Sequence, residues 1–401
     1  MTNTLFEQAK PLLEQLEHHG YQAYYVGGCV RDYLMERPIH DIDITTSATP
    51  DEVEVLFDKT IPVGKEHGTI NVVYQGENYE ITTFRAEAEY TDHRRPSEVY
   101  FVRELYEDVK RRDFTMNALA MDTDYQLHDY FNGRTDIHHK LIRTVGEAQE
   151  RFDEDALRIL RGLRFQAQLG FDIEQATYTA MKANCSSLEY LSVERVVVEL
   201  RKLLSGDEAS RGYRNMVGMK AFNYLPYFNH YDMDKMQVVE PLAFTTFLAI
   251  LNVQQPLEIP LAHLKISNDE KKEVAKLTAM IQALPSLTTK KQLRTYIYDY
   301  GAKEAKMCFL LQESLIANDI AAASPLIFNM QTIEEIAQQL PIRQRNELDV
   351  TGKDLMSHTE LKGGKWVKHA LRELELAVVN EQVINQQKAL LEWMDQHVKI
   401  Q

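Results

Sequence analysis

Two aspartates one residue apart, Asp41 and Asp43 in the run His40-Asp41-Ile42-Asp43-Ile44, are the residues of this sequence best suited to metal chemistry. On an extended segment successive side chains alternate, so both carboxylates point one way while Ile42 and Ile44 point the other. A hard divalent cation such as Mg2+ commonly takes one or two carboxylates together with substrate phosphate oxygens. Two such ions can activate an attacking hydroxyl and stabilise the leaving group of an in-line displacement. Alone, the pair reads equally well as two acids facing solvent on an edge strand. Shortly before it, however, comes Val26-Gly27-Gly28-Cys29-Val30-Arg31-Asp32, between an apolar stretch and helical sequence. Glycines at such a turn let bare backbone N–H groups approach a phosphate at a helix start, and Arg31, one turn in, adds charge. Together the segments form a candidate triphosphate cradle, with Asp41 and Asp43 as catalytic metal ligands and Gly28 and Arg31 on the nucleotide.

The elements that must hold these residues fall into two zones. From about Tyr21 to Arg143, short alternating or apolar strands (YQAYYVGG, DIDITT, GTINVVY, YEITTFR, FTMNALAMD) mix with helical pieces such as PDEVEVLF. From about Glu147 onward helix-period segments follow one another, among them AQERFDEDALRILRGLRFQAQLG, SVERVVVELRKLL, KKEVAKLTAMIQAL and KHALRELELAVVNEQ. Gly146, Gly170, Gly206 and the Gly363-Gly364 pair punctuate this zone at plausible helix ends. The expected fold class is α+β, an α/β head followed by an all-α remainder.

Gly27-Gly28-Cys29-Val30-Arg31-Asp32 followed by Asp41-Ile42-Asp43 resembles the polymerase-beta nucleotidyltransferase superfamily, in its class II tRNA nucleotidyltransferase branch. The resemblance continues downstream, where Arg111-Arg112-Asp113-Phe114-Thr115-Met116-Asn117-Ala118 matches that branch's Arg-Arg-Asp-Phe-Thr-x-Asn-Ala motif. It implies that Arg112 contacts the bound nucleotide and that Asp113 and Asn117 shape its ribose pocket. Glu80, in YEITTFR, is a candidate third carboxylate of the superfamily site, or a solvated acid on a half-exposed strand.

A further constellation is Glu154-Asp155-x-x-Arg158-x-x-Arg161-x-x-Arg164-Phe165. On one helix, steps of three make Asp155, Arg158, Arg161 and Arg164 a slowly winding ridge, beside an apolar ridge of Leu157, Leu160 and Leu163. By pattern alone this is a solvated charged face with Asp155 and Arg158 paired. Base chemistry offers another reading. Cytosine and adenine both present an amino donor beside a ring-nitrogen acceptor, whereas uracil and guanine present the reverse. A carboxylate beside a guanidinium reads that difference, with Asp155 accepting from the amine and Arg158 donating to the ring nitrogen. The family's Glu-Asp-x-x-Arg motif matches here and implies the same roles, with Arg161 and Arg164 facing the phosphates. The block Ser192-Val193-Glu194-Arg195 through Leu204 also matches and is expected mainly to brace this region.

The activity so implied is stepwise addition of C, C and A to the 3′ end of tRNA from CTP and ATP, without a nucleic-acid template. Close rivals are bacterial poly(A) polymerases and partial adders of C-C or A; a rival of another class is an RNA-binding protein that has lost its chemistry. The polar stretch 86–108, with Asp92-His93-Arg94-Arg95-Pro96, favours a full adder. The net charge of -15 over 401 residues disfavours a processive RNA binder and confines RNA contact to local basic patches. Cys29, Cys185 and Cys308 have no metal-like spacing and are expected as small buried residues. No apolar run reaches membrane-spanning length and no secretory signal precedes the first helix, so a cytoplasmic protein is expected; a homodimer stays open. Expected divisions are a catalytic head (1–147), a base-reading neck (148–207), a helical body (208–320) and a tail (321–401). Asp349–Leu355 and Lys362–Lys368 resemble the family's tail, which implies a grip on the tRNA elbow, with body and tail together clasping the acceptor arm. Trp366 and Trp393 sit at helix spacing with leucines, as core residues do.

Overall fold

The alternating apolar runs of the N-terminal zone pair into one mixed sheet. In the computed structural model, which describes residues 3–87 and 99–399, the strands are β1 (Ala23–Val26), β2 (Asp43–Thr46), β3 (Thr60–Ile61), β4 (Thr69–Tyr74), β5 (Glu77–Thr83), β6 (Arg85–Glu87), β7 (Val99–Phe101), β8 (Leu119–Met121) and β9 (Leu127–Asp129). Among the described residues, seven of them form a sheet in the order β3-β4-β5-β2-β1-β8-β9, while β6 and β7 pair separately. β1 runs antiparallel to both β2 and β8, and β2 runs parallel to β5. Ile44, Ile70 and Ile81 are buried on these strands. Helix α1 (Asn3–His18) packs Phe6, Leu12, Leu13 and Leu16 inward. The Tyr25 ring meets Phe6 edge-on at 4.7 Å, and its hydroxyl donates to the Phe6 carbonyl at 2.9 Å. Each such side chain contributes roughly 1.5–3 kcal/mol when fully buried.

The chain continues through α2 (Gly28–Leu34), α3 (Pro50–Leu56), α4 (Leu105–Lys110), α5 (Gly133–His138), α6 (Ala148–Glu154), α7 (Leu157–Leu169), α8 (Gln175–Ala183), α9 (Val193–Leu204) and α10 (Ala209–Gly218). α7 packs on α9 and α10 and is buried almost all round: Leu157, Leu160 and Leu163 face the core, but Arg158 and Arg164 are also only 7% exposed. On another side Gly162 lets α7 approach Phe114 and α8 closely, since a Cβ there would stand 3.0 Å from the Phe114 ring and 3.1 Å from Met181 Cε.

Three expectations need correction. The segment 148–170 is two helices rather than one: Asp155 has φ -138° and ψ 105°, an extended conformation, and its Oδ1 accepts the Leu157 N–H at 3.0 Å. That side-chain acceptor takes a backbone donor at the start of α7, which is why an aspartate favours a helix start over a helix interior. Of the expected strand FTMNALAMD only Leu119–Met121 joins the sheet; Phe114 makes an isolated bridge to Thr144 and Thr115–Asn117 forms a 3-10 turn instead. The zone expected to be all-α also carries a two-residue strand, Asp172–Ile173, paired parallel to Leu141–Ile142.

Compactness divides the chain into residues 1–244 with 259–266, and residues 245–258 with 267–401. The second unit is helical. Ser267, Thr289 and Thr351 open helices with capping boxes to Glu270, Gln292 and Asp354, each such cap being worth ~1 kcal/mol. Leu355, Ala370, Leu374, Val378, Leu390 and Met394 form a core there, and Trp366 and Trp393 pack against it partly buried. All three cysteines are buried and unbridged. Among the described residues no helix is long and apolar enough to cross a membrane.

Candidate active site

Strand register brings three separated motifs together along the edge formed by the strand ends at the middle of the sheet. Tyr25 lies opposite Ile44, and Val26 lies opposite Ala120. The end of β1, the start of β2 and the entry to β8 are therefore neighbours, carrying Gly27-Gly28, Asp43 and the Arg112–Asn117 run. Gly27 closes the corner: its N–H donates to the Leu119 carbonyl at 3.1 Å and its φ is +77°. A Cβ there would stand 3.0 Å from Arg112 Nη1 and 3.9 Å from Asp43 Oδ2. The need for glycine thus falls on Gly27. At Gly28 a Cβ would meet only Arg31 Nη2, at 3.8 Å.

Asp43 begins β2, half-buried, and Asp41 precedes the strand, exposed, while Ile42 and Ile44 are buried on the opposite side. Burial, then the neighbouring Asp41 carboxylate, push the Asp43 carboxyl up to about 6; Arg112 opposes the shift and Glu80 adds to it. Glu80 is Asp43's register partner on β5 and is itself exposed. A carboxylate whose charge is disfavoured by burial and by neighbouring carboxylates suits a hard cation. Among the described residues no group of three or more acidic, His or Cys side chains is assembled to hold one. A metal at Asp41 and Asp43 would therefore complete its shell with substrate oxygens, which fits the donor set.

A cavity of about 770 Å³ opens at this edge, and Gly28, Arg31, Asp41, Asp43, Arg112, Asp155, Arg158, Arg161 and Arg164 all line it. The same wall carries eight arginines and Lys202 against five aspartates, so an acidic chain contains a locally basic pocket. Arg112 Nη2 lies 3.5 Å from Asp108 Oδ2, while its buried Nε has no partner. A buried donor without an acceptor on a cavity wall suits a bound anion. Arg31 donates to Asn117 Oδ1 at 2.7 Å and to Asp32 at 2.9 Å. Asp113 accepts from Arg161 Nε at 2.6 Å and from Asn117 at 3.3 Å. Burial acts to raise the Asp113 carboxyl, but Arg161 outweighs it and holds it at about 2.

The neck side is a lattice of ion pairs. Arg164 Nε donates to Glu199 Oε2 at 2.6 Å, and its guanidinium lies 3.9 Å from the Phe165 ring centroid. Arg31 and Arg161 also approach that ring, at 5.3 and 5.4 Å. The side chains of Asp155 and Arg158 take partners beyond each other. Asp155 Oδ2 accepts from Arg195 Nη2 at 2.9 Å. Arg158 donates to the Arg151 carbonyl at 2.9 Å, to the Arg111 carbonyl at 3.0 Å and to Glu154. The solvated charged face is therefore excluded. The block around Ser192 does more than brace the neck, because Arg195 and Lys202 reach the cavity wall. Their spacing with Glu199 on one stripe of α9 was the available signal. Arg111 and Phe165, which stand inside the quoted motifs without a role there, also line the wall, as does Arg85, which no spacing marks. The residues Asp92-His93-Arg94-Arg95-Pro96 lie outside the described residues.

Three family models match the chain: a poly A polymerase head domain over residues 23–143, a "Probable RNA and SrmB- binding site of polymerase A" over 170–231, and a tRNA nucleotidyltransferase domain 2 over 239–394. The sequence is 55% identical over 400 residues to a CCA-adding enzyme of Staphylococcus epidermidis, covering 100% of each chain. It is 54% identical to that of Staphylococcus saprophyticus, covering 99% of this chain and 100% of the other. The Bacillus stearothermophilus CCA-adding enzyme in complex with CTP superposes with a TM-score of 0.80 at 36% identity, covering 98% of this chain and 97% of that one. The Thermotoga maritima CCA-adding enzyme complexed with tRNA shares the fold, with a TM-score of 0.60 at 18% identity over 97% and 94% of the two chains.

Proposed function

The chain belongs to the family of CCA-adding enzymes, and from that premise we propose that the basic cavity of about 770 Å³ is where CTP and ATP are bound, selected and joined to tRNA. The enzyme adds C, C and A in turn to the tRNA 3′ end. In each step the terminal hydroxyl oxygen bonds to the α-phosphorus, the bond to the β-phosphate bridge breaks, and pyrophosphate leaves. The convergence of all nine candidate residues on one cavity is the observation that carries the site assignment.

Asp41 and Asp43 would hold Mg2+, which when bound supplies activation of the hydroxyl and neutralises charge on the leaving pyrophosphate. Gly28 at the start of α2, with Arg31 and Arg112, receives the triphosphate. Asp113 and Asn117 border the sugar, tied together and to Arg161 and Arg31. Arg161 and Arg164 complete the basic wall. Asp155 and Arg158 read the base edge, and each is already oriented by other partners, Arg195 and the Leu157 N–H for the first, two carbonyls and Glu154 for the second. Preorientation lowers the cost of discriminating, because little reorganises when the correct base arrives. The division into head, neck, body and tail, the tail's grip on the tRNA elbow, and a cytoplasmic location belong to this same reading.

The match of residues 23–143 to a poly A polymerase head favours one second reading, repeated A addition. Purified protein incubated with tRNA ending before C-C-A, with CTP and ATP separately and together, separates the two. Product three nucleotides longer with both nucleotides supports the proposal; a ladder of A residues with ATP alone overturns it.

A further inference from the structure

Asp108 lies four residues before Arg112, in α4, and is fully buried without lining the cavity. A buried carboxylate is costly unless its oxygens are occupied, and here they are. Oδ1 accepts from Arg111 Nη2 at 2.8 Å, Arg111 Nε at 3.1 Å and the Arg85 backbone N–H at 3.3 Å. Oδ2 lies 3.3 Å from the Thr45 hydroxyl and 3.5 Å from Arg112 Nη2. Burial acts to raise the Asp108 carboxyl, but Arg111 and Arg112 outweigh it and hold it below the usual carboxylate range, so it stays ionised. One side chain thus joins β2, through Thr45 two residues from Asp43, to the start of β6 and to two arginines of the cavity wall.

Arg112 reaches Asp108 with Nη2 at 3.5 Å, while its Nη1 and Asp43 Oδ2 flank the same point at Gly27, 3.0 and 3.9 Å from where a Cβ there would stand. With Asp108 removed, the pull of Asp43 on Arg112 is no longer opposed by that carboxylate. Pairing there would withdraw a cation from the nucleotide and occupy a carboxylate of the Asp41–Asp43 pair.

We propose that Asp108 is a positioning residue for nucleotide binding: it holds Arg112, with Arg111, away from the Asp41–Asp43 pair and available to the incoming nucleotide. The proposal rests on the reading of Arg112 as a nucleotide contact. Asp108 acts on a cation shared by CTP and ATP, so its loss weakens both equally and leaves base choice intact.

The test is a double-mutant cycle in full-length protein, with Asp108→Asn, Arg112→Ala and the double variant, each checked for a cooperative thermal transition. Asp108→Asn is expected to raise KM for CTP and for ATP by about tenfold, the scale of losing a hydrogen bond to a charged group, with unchanged rejection of UTP and GTP. The losses of Asp108→Asn and Arg112→Ala are expected not to add in the double variant. A folded Asp108→Asn with wild-type KM, or losses that add, overturns the proposal while Arg112 keeps its assignment. Wild-type KM in Arg112→Ala overturns that assignment and the proposal with it. Should Asp108→Asn fail to fold, a crystal structure of the wild-type protein with CTP decides: Arg112 touching both Asp108 and the nucleotide supports the proposal, and Arg112 detached from Asp108 overturns it.

Discussion

The sheet side and the neck side of the cavity handle charge in opposite ways. On the neck side Arg158, Arg161 and Arg164 each meet a carboxylate, from Glu154, Asp113 and Glu199 respectively. On the sheet side Asp41 and Glu80 add to the burial that disfavours the charge of Asp43, and Arg112, which also reaches Asp108, opposes them. The neck is therefore electrostatically complete before substrate arrives, as preorganised recognition requires. The sheet edge is left unbalanced, and a cation arriving with the triphosphate would balance it. Under the proposed assignment, one pocket combines a preorganised base reader with an incomplete reaction centre.

Breaking the sheet side has the largest expected effect. Asp41→Ala with Asp43→Ala should lower nucleotide incorporation by on the order of a thousandfold or more, the upper range for removing a main electrostatic stabiliser, as should chelation of divalent ions in the wild-type protein. Near-normal incorporation by the double variant would sink the assignment of both acids.

On the neck side the largest change expected is in stability. Removing Arg161 leaves Asp113 buried without its cation, and Arg161→Met should cost about 2 kcal/mol, below the ~3–5 kcal/mol of a fully buried pair because the Arg161 side chain is 35% exposed. Urea unfolding measures this. Because Asp113 is held at about 2, its contribution is complete above the unfolded carboxylate value near ~3.9 and is lost as pH falls through about 2. The stability gap between wild type and Asp113→Asn should therefore close between about pH 4 and pH 2; a gap constant over that window would contradict the pairing.

Base choice separates the two sides further. Asp155→Ala or Arg158→Ala should relax rejection of UTP and GTP by about tenfold, from ~1–3 kcal/mol per specific base contact, with a smaller loss of rate on CTP. Selectivity equal to wild type in both variants would remove these residues from base reading.

The smallest effect sharpens the comparison at one corner. Gly27→Ala forces a side chain into a positive-φ position beside Arg112 and should cost ~1–2 kcal/mol. Gly28→Ala should be nearly neutral for stability, since its Cβ meets only the end of the Arg31 side chain. Equal melting temperatures for the two variants would show that the corner is not strained.

Much of this was legible because it is local. Asp41 and Asp43 differ from Ile42 and Ile44 by strand alternation, and Gly27 marks a turn by its type. The break at Asp155 was missed because helical periodicity runs through Glu154-Asp155 unbroken, while the capping contact is made by one side-chain oxygen. Arg195 was missed as a wall residue because its stripe with Glu199 and Lys202 on one face of a helix does not say what that face meets, and Phe165 because no period assigns it a direction.

By itself the sequence determined which chemical groups exist and how each sits within its own turn or strand, since sterics and alternation act over a few residues. Tertiary structure alone decided who partners whom: Arg161 meets an acid 48 residues away, and Asp155 a guanidinium 40 residues away. Coulomb attraction depends on distance through space and on burial, and neither can be read along the chain.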